Sequence, residues 1–210
     1  MPDVIELAKA TAIAFDRPEG EIRHYARRLR EAEMLPTSVR GAKPMPISQS
    51  DTARLLIGVM GSDTATGAPD AVRNFADLTV SEFNVQHDET LKKDGKSLLA
   101  KFFRKTTTLL SAIETLLELG AQNKNWEPIN LIEFTFPPEP RVFISTSPAI
   151  SDKQNIDATI IRFSEQEEAA HRRPIRQSSV EWHVNRFGLR GIYDLIGYPK
   201  SSTGGQSDNA

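Results

Sequence analysis

The sequence predicts an α+β protein in two parts. A small helical N-terminal part carries a basic loop, and a larger part packs a long helix on a small antiparallel sheet. Three observations predict it. Two short segments of helical period open the chain, the second rich in arginine, and a Pro-bounded loop separates them from a third. Ser97 to Leu119 has the apolar width and period of a core helix. After it come four segments with strand composition, set off by prolines and polar residues.

From Val4 to Phe15, Ile5, Ala8, Ala12 and Phe15 share one helical stripe, with Leu7 beside it. Asp16-Arg17-Pro18-Glu19-Gly20 interrupts that period, because proline and glycine favour turns. The period resumes at Glu21, where Ile22, Ala26 and Leu29 face inward and Tyr25 lies at the edge of that face. Arg23, Arg27 and Arg30 form the opposite stripe, flanked by His24, Arg28 and Glu31. Pro36 predicts an end near Met34-Leu35. Residues 36–48 hold three prolines and one glycine and are expected as a loop or short ribbon. Ser48 and Ser50 are candidate N-caps for a third helix, which Asp51 favours by charge and whose apolar face is Leu55, Leu56, Val59 and Met60.

Gly61 to Pro69 has the composition of a linker. The expected organisation is therefore an N-terminal domain at 1–60, a linker at 61–69, an α+β domain at 70–198 and a disordered tail at 199–210. In the second domain Asp70 to Leu78 predicts a short helix and Val80 to His87 a weakly alternating strand. The long helix should stop at Gly120. Leu131 to Phe136 and Arg141 to Thr146 should form a hairpin across the Pro-rich 137–140 connection. Ala158 to Phe163 and Val180 to Phe187 complete the strands, Glu165 to Arg173 favours helix, and Leu189 to Ile196 predicts a short closing helix.

Composition narrows the function. The 210 residues are 39% hydrophobic and 26% charged, a balance that supports a buried core rather than disorder. No apolar run approaches the roughly 20 residues of a membrane helix. The N-terminus lacks a basic-then-apolar signal pattern, and the absence of cysteine excludes disulfides and thiolate metal sites; both fit a cytoplasmic setting. A net charge of −2 excludes a polycation that coats nucleic acid, so any DNA contact must use a local patch. Residues 23–43 supply one: Arg23, Arg27, Arg28, Arg30, Arg40 and Lys43 stand against Glu31 and Glu33.

The order of these elements, two short helices, a basic loop and a third helix, is that of a helix-turn-helix with a basic wing. Residues 4–60 resemble the winged-helix domain of the MerR group of regulators, and the similar domain of phage terminase small subunits. The likeness is carried by Glu6-Leu7-Ala8, by Ile22-Arg23-His24-Tyr25 and by Met34-Leu35-Pro36, then by Arg40-Gly41 and the helix from Asp51 to Leu56. It covers roughly the first third of the chain. The resemblance implies that the second helix enters the major groove while the wing touches flanking backbone. It casts Arg23, His24, Arg27 and Arg28 as groove or phosphate contacts and puts Arg40 and Lys43 on the wing.

The plain alternative is a solvated helix face paired with Glu31 and Glu33. The short helix before it, the basic loop after it and the few acids on the Arg23/Arg27/Arg30 stripe favour DNA contact, since arginine can neutralise phosphate or fork onto a guanine edge. Elsewhere the chain offers less. His171, Arg172, Arg173 and Arg176 follow Glu165, Glu167 and Glu168, the pattern of a solvated loop. His24, His87, His171 and His183 have no metal-binding spacing, and Glu133, Glu139 and Glu181 form no recognisable acid/base pair. Phosphate-binding loops, dinucleotide fingerprints and nucleophile elbows are absent.

The expectation is a sequence-specific regulator of transcription that binds double-stranded DNA, without enzymatic activity, cofactor or metal. Arg23, Arg27, Arg28 and Arg30 would meet groove and backbone, with Arg40 and Lys43 fixing register. The second domain would form a homodimer, or bind an effector or protein partner. The rivals are a terminase-like DNA-recognition subunit and a protein-binding module acting on the transcription machinery.

Overall fold

The computed structural model describes residues 3–37, 45–85, 106–122, 131–135, 140–146, 159–164, 179–183 and 192. The expected wing with Arg40 and Lys43, the start of the long helix at 97–105, the 165–173 segment, nearly all of the closing helix and the C-terminal tail lie outside the described residues. Helix and sheet combine as an α+β fold. Helices come first: α1 (Val4–Ala14), α2 (Glu19–Glu31), α3 (Gln49–Met60) and α4 (Ala68–Phe75). Strand β1 (Thr79–Val85) and helix α5 (Leu109–Gln122) follow, then β2 (Leu131–Thr135), β3 (Arg141–Thr146), β4 (Thr159–Ser164) and β5 (Ser179–His183).

Reciprocal capping boxes start two of the helices. The Asp3 carboxylate accepts from the Ile5 and Glu6 amides at 2.8 and 2.9 Å, while Glu6 accepts from the Asp3 amide at 3.1 Å. Ser48 and Asp51 repeat the arrangement at α3, which makes Ser48 the cap and places Ser50 inside the helix.

Helix α1 stops at the expected 16–20 break, α2 ends earlier than Pro36 predicts, and both close in the same way. After α1, the amides of Asp16 and Arg17 reach back to the carbonyls of Ile13 and Ala12, with Asp16 at φ 50°. After α2, Glu33 and Met34 reach back to Arg30 and Leu29, with Glu33 at φ 60°. This is a Schellman closure, whose left-handed position usually falls to glycine. Here Asp and Glu occupy it, so glycine stands at neither closure. A left-handed conformation costs a non-glycine residue roughly 1–2 kcal/mol, part of which glycine's freer unfolded chain cancels. Replacing Glu33 by Gly should therefore stabilise the fold by about 0.5–1 kcal/mol in chemical denaturation.

Helix α3 is the centre of the helical layer. The sequence predicts a one-sided apolar face, but Thr52, Ala53 and every residue from Leu55 to Met60 are buried, as befits a helix packed on several sides. It contacts α2, α4 and α5. The segment expected to be a linker is ordered structure: Ala65–Gly67 form a 3-10 turn and α4 begins at Ala68. Gly61 is required by proximity, because a Cβ there would stand 2.9 Å from the Ile57 carbonyl oxygen and 3.1 Å from the Phe75 ring. Tyr25, expected at the edge of its helix's inward face, is only 1% exposed, and its hydroxyl donates to the Ser62 carbonyl at 2.9 Å. The 61–69 segment is thereby tied to α2.

The five strands are all antiparallel in the order β1-β4-β3-β2-β5. The expected β2–β3 hairpin pairs Leu131 with Ser145 and Thr135 with Arg141. One face turns Ile132, Phe134, Val142, Ile144 and Phe163 inward, all at most 2% exposed. Phe134 meets Phe75 of α4 edge-on, with ring centroids 4.9 Å apart. Buried residues from Leu7 through Phe163 to Ile192 belong to one hydrophobic cluster that joins helices and sheet.

The long helix differs from expectation at both ends. Thr106–Thr108 are not helical: the Thr107 carbonyl accepts from Val80, the Leu109 amide donates to Leu78, and Thr108 bridges Thr79. Three successive β-branched residues favour this extended pairing, and the Thr108 hydroxyl then accepts from the Ser111 amide at 3.2 Å. At the far end the helix passes through buried Gly120 to Gln122.

Candidate nucleic-acid interface

The candidate surface is the outer face of α2. Ile22, Tyr25, Ala26 and Leu29 are at most 1% exposed and lock the opposite face into the core. Helical geometry then directs Arg23, His24, Arg27 and Arg28 outward, and all four are exposed. The exposed face is centred on His24, Arg27 and Glu31, rotated from the Arg23/Arg27/Arg30 stripe expected from sequence. Arg30 departs from the group. It is half-buried, and its Nε is buried without a hydrogen-bond partner among the described residues. Arg40 and Lys43 lie outside the described residues.

The face carries Glu19 in addition to the expected Glu31. Arg23 pairs with Glu19 one turn earlier. Arg27 Nε donates to Glu31 Oε1 at 2.8 Å and Arg28 Nη1 to Glu31 Oε2 at 2.9 Å, so one carboxylate holds two guanidiniums. Hydrogen bonds from Arg27 and then Arg28 hold the Glu31 carboxyl below the ordinary glutamate range. The Glu31 pairing is the one the sequence offers as the plain alternative, and the same four-residue spacing gives Glu19–Arg23.

A further arginine, Arg17, lies just outside this face and serves the fold. It pairs with Glu21 at 2.8 Å, and its guanidinium carbon lies 5.5 Å from the Tyr25 ring centroid. This fastens the α1–α2 turn to the side chain that also reaches Ser62. Burial raises the Tyr25 pKa above the ordinary tyrosine value, opposed by Arg17.

The sheet brings other polar groups together. Its register sets Glu133 of β2 opposite Glu181 of β5, a juxtaposition that sequence spacing does not show. On the same face Arg162 pairs with Glu82 and lies 6.0 Å from the Phe143 ring centroid. Among the described residues no three His, Asp or Glu side chains converge as a metal site, and no helix is long and apolar enough to cross a membrane. His87 and the basic residues from His171 to Arg176 lie outside the described residues. Compared with known families, curated proteins and solved structures, the chain matches no family model, no curated protein and no solved structure.

Proposed function

We propose that the chain is a sequence-specific reader of double-stranded DNA that regulates transcription in the cytoplasm as a homodimer. In this reading α1 and α2 form a helix-turn-helix, residues 36–48 form the wing, and α2 enters the major groove. The observation that carries it is the two-sided character of α2. Four fully buried side chains fix its inner face, and that rigidity presents Arg23, His24, Arg27 and Arg28 together on the outer one. An α-helix fits the major groove, and guanidinium groups suit both phosphate oxygens and guanine edges. Arg30, half-buried beside this face, serves backbone contact at its margin, and Arg40 and Lys43 serve flanking phosphates.

The test is capture of fragmented genomic DNA from the source organism by purified protein at two salt concentrations, followed by sequencing. A few sites that persist at the higher salt are the expected result, because base contacts survive where phosphate attraction is screened. Two-fold symmetric sites would support the dimer. Failure to enrich any fragment would sink the DNA reading. A protein-binding role would then lead, on the ground that Ile5 and Ile13 stand more than half exposed on α1.

A further inference from the structure

Glu31 sits where helix energetics disfavour it. It is the last residue of α2, where a negative charge opposes the helix dipole. Its pairing with Arg27 also runs in the less favourable order, with the cation N-terminal to the anion. Its place in the helix therefore does not account for a carboxylate here. Its contacts give a different account. Both oxygens are engaged, one by Arg27 and one by Arg28, on the most exposed side of the helix. Carboxylate and phosphate compete for guanidinium through the same geometry, so an N–H donated to Glu31 is withheld from DNA.

We propose that Glu31 is a built-in competitor for DNA phosphate, which holds Arg27 and Arg28 back from non-specific duplex and so sharpens discrimination for the cognate site. This rests on the DNA-reading role of α2 and adds to it a specificity-determining residue that itself recognises nothing. Non-specific binding is almost wholly phosphate attraction, and a carboxylate at the centre of the face opposes it directly. A cognate site offsets the lost pairing with base contacts, whereas an arbitrary sequence cannot. Discrimination built by penalising the wrong partner is a general route to specificity.

The experiment titrates the 210-residue chain against a short fluorescein-labelled duplex of arbitrary sequence, followed by anisotropy. Glu31→Gln keeps the side-chain shape and removes the charge, and because the two ion pairs it breaks are exposed and intrahelical, the variant folds. One unit of charge at roughly 0.15 M salt is worth about a five-fold change in affinity, and Glu31→Gln should bind tighter by about that factor. In an Arg27→Ala/Arg28→Ala background the same substitution should give no comparable gain, because the withheld groups are gone. An unchanged affinity for Glu31→Gln overturns the competitor. So does an equal gain in the arginine-free background, which would be a general charge effect. If Arg27→Ala/Arg28→Ala weakens binding while Glu31→Gln does nothing, α2 still reads DNA and only the competitor falls. Absence of binding by every form overturns both.

Discussion

Replacing Phe134 by alanine should cost about 3–5 kcal/mol of unfolding free energy. The ring is fully buried on the inner face of β2, between Val142 of β3 and Val180 of β5 in the register of the sheet. Its edge-on contact with Phe75, at an interplanar angle of 83°, is where the sheet meets α4. Truncation opens a cavity at this seam and removes an aromatic pair worth roughly 0.5–1.5 kcal/mol beyond its buried area. A loss of this size is a large part of the ~5–15 kcal/mol that holds a typical domain together. Denaturant titration followed by circular dichroism should show the midpoint falling for helix and strand signals together, since one cluster spans both layers. Phe134→Leu should recover much of the loss. A cost below about 1 kcal/mol would mean that the Phe75–Phe134 seam is not part of the cooperative core.

What the sequence reveals and what it conceals divide along physical lines. Signals written in neighbouring residues are legible. The candidate cap Ser48 and the acid Asp51 mark the start of α3, and the β-branched and aromatic composition of Arg141 to Thr146 matches β3 at both ends. The break after α1 is legible in residues 16–20, but the stop of α2 at Glu33 is hidden because a left-handed closure usually advertises itself with glycine. A different signal operates at 61–69. There glycines suggest a linker, yet Gly61 is present because Ile57 and Phe75 leave no room for a Cβ.

Sheet order is illegible for another reason. The β2–β3 hairpin is local, but β1 pairs with β4 and β2 with β5 across long stretches of chain, and no local pattern encodes such partners. For the candidate interface, the exposed arginines were readable from the helical period. Glu31 is legible as a partner of the stripe, whereas Glu19, which pairs with Arg23, lies in the 16–20 break and escapes a count begun at Arg23. Burial of Tyr25 turns the helix so that Glu31 faces out and Arg30 is partly enclosed.

Arg27→Ala/Arg28→Ala should weaken binding to a captured site by about two orders of magnitude while leaving the protein folded. Both side chains project from the exposed face and their ion pairs are intrahelical, so no core contact is lost. Each arginine that neutralises a phosphate adds close to one to the slope of log affinity against log salt, so removing two should lower that slope by about 2. Equilibrium titration of wild type and double variant against the captured site, across a series of salt concentrations, is the most direct test of α2 as the DNA-contacting element. Weaker binding with a shallower salt slope and an unchanged unfolding midpoint is the result predicted here. Unaltered affinity and slope in a folded double variant would contradict it, and the arginines of α2 would be a solvated helix face.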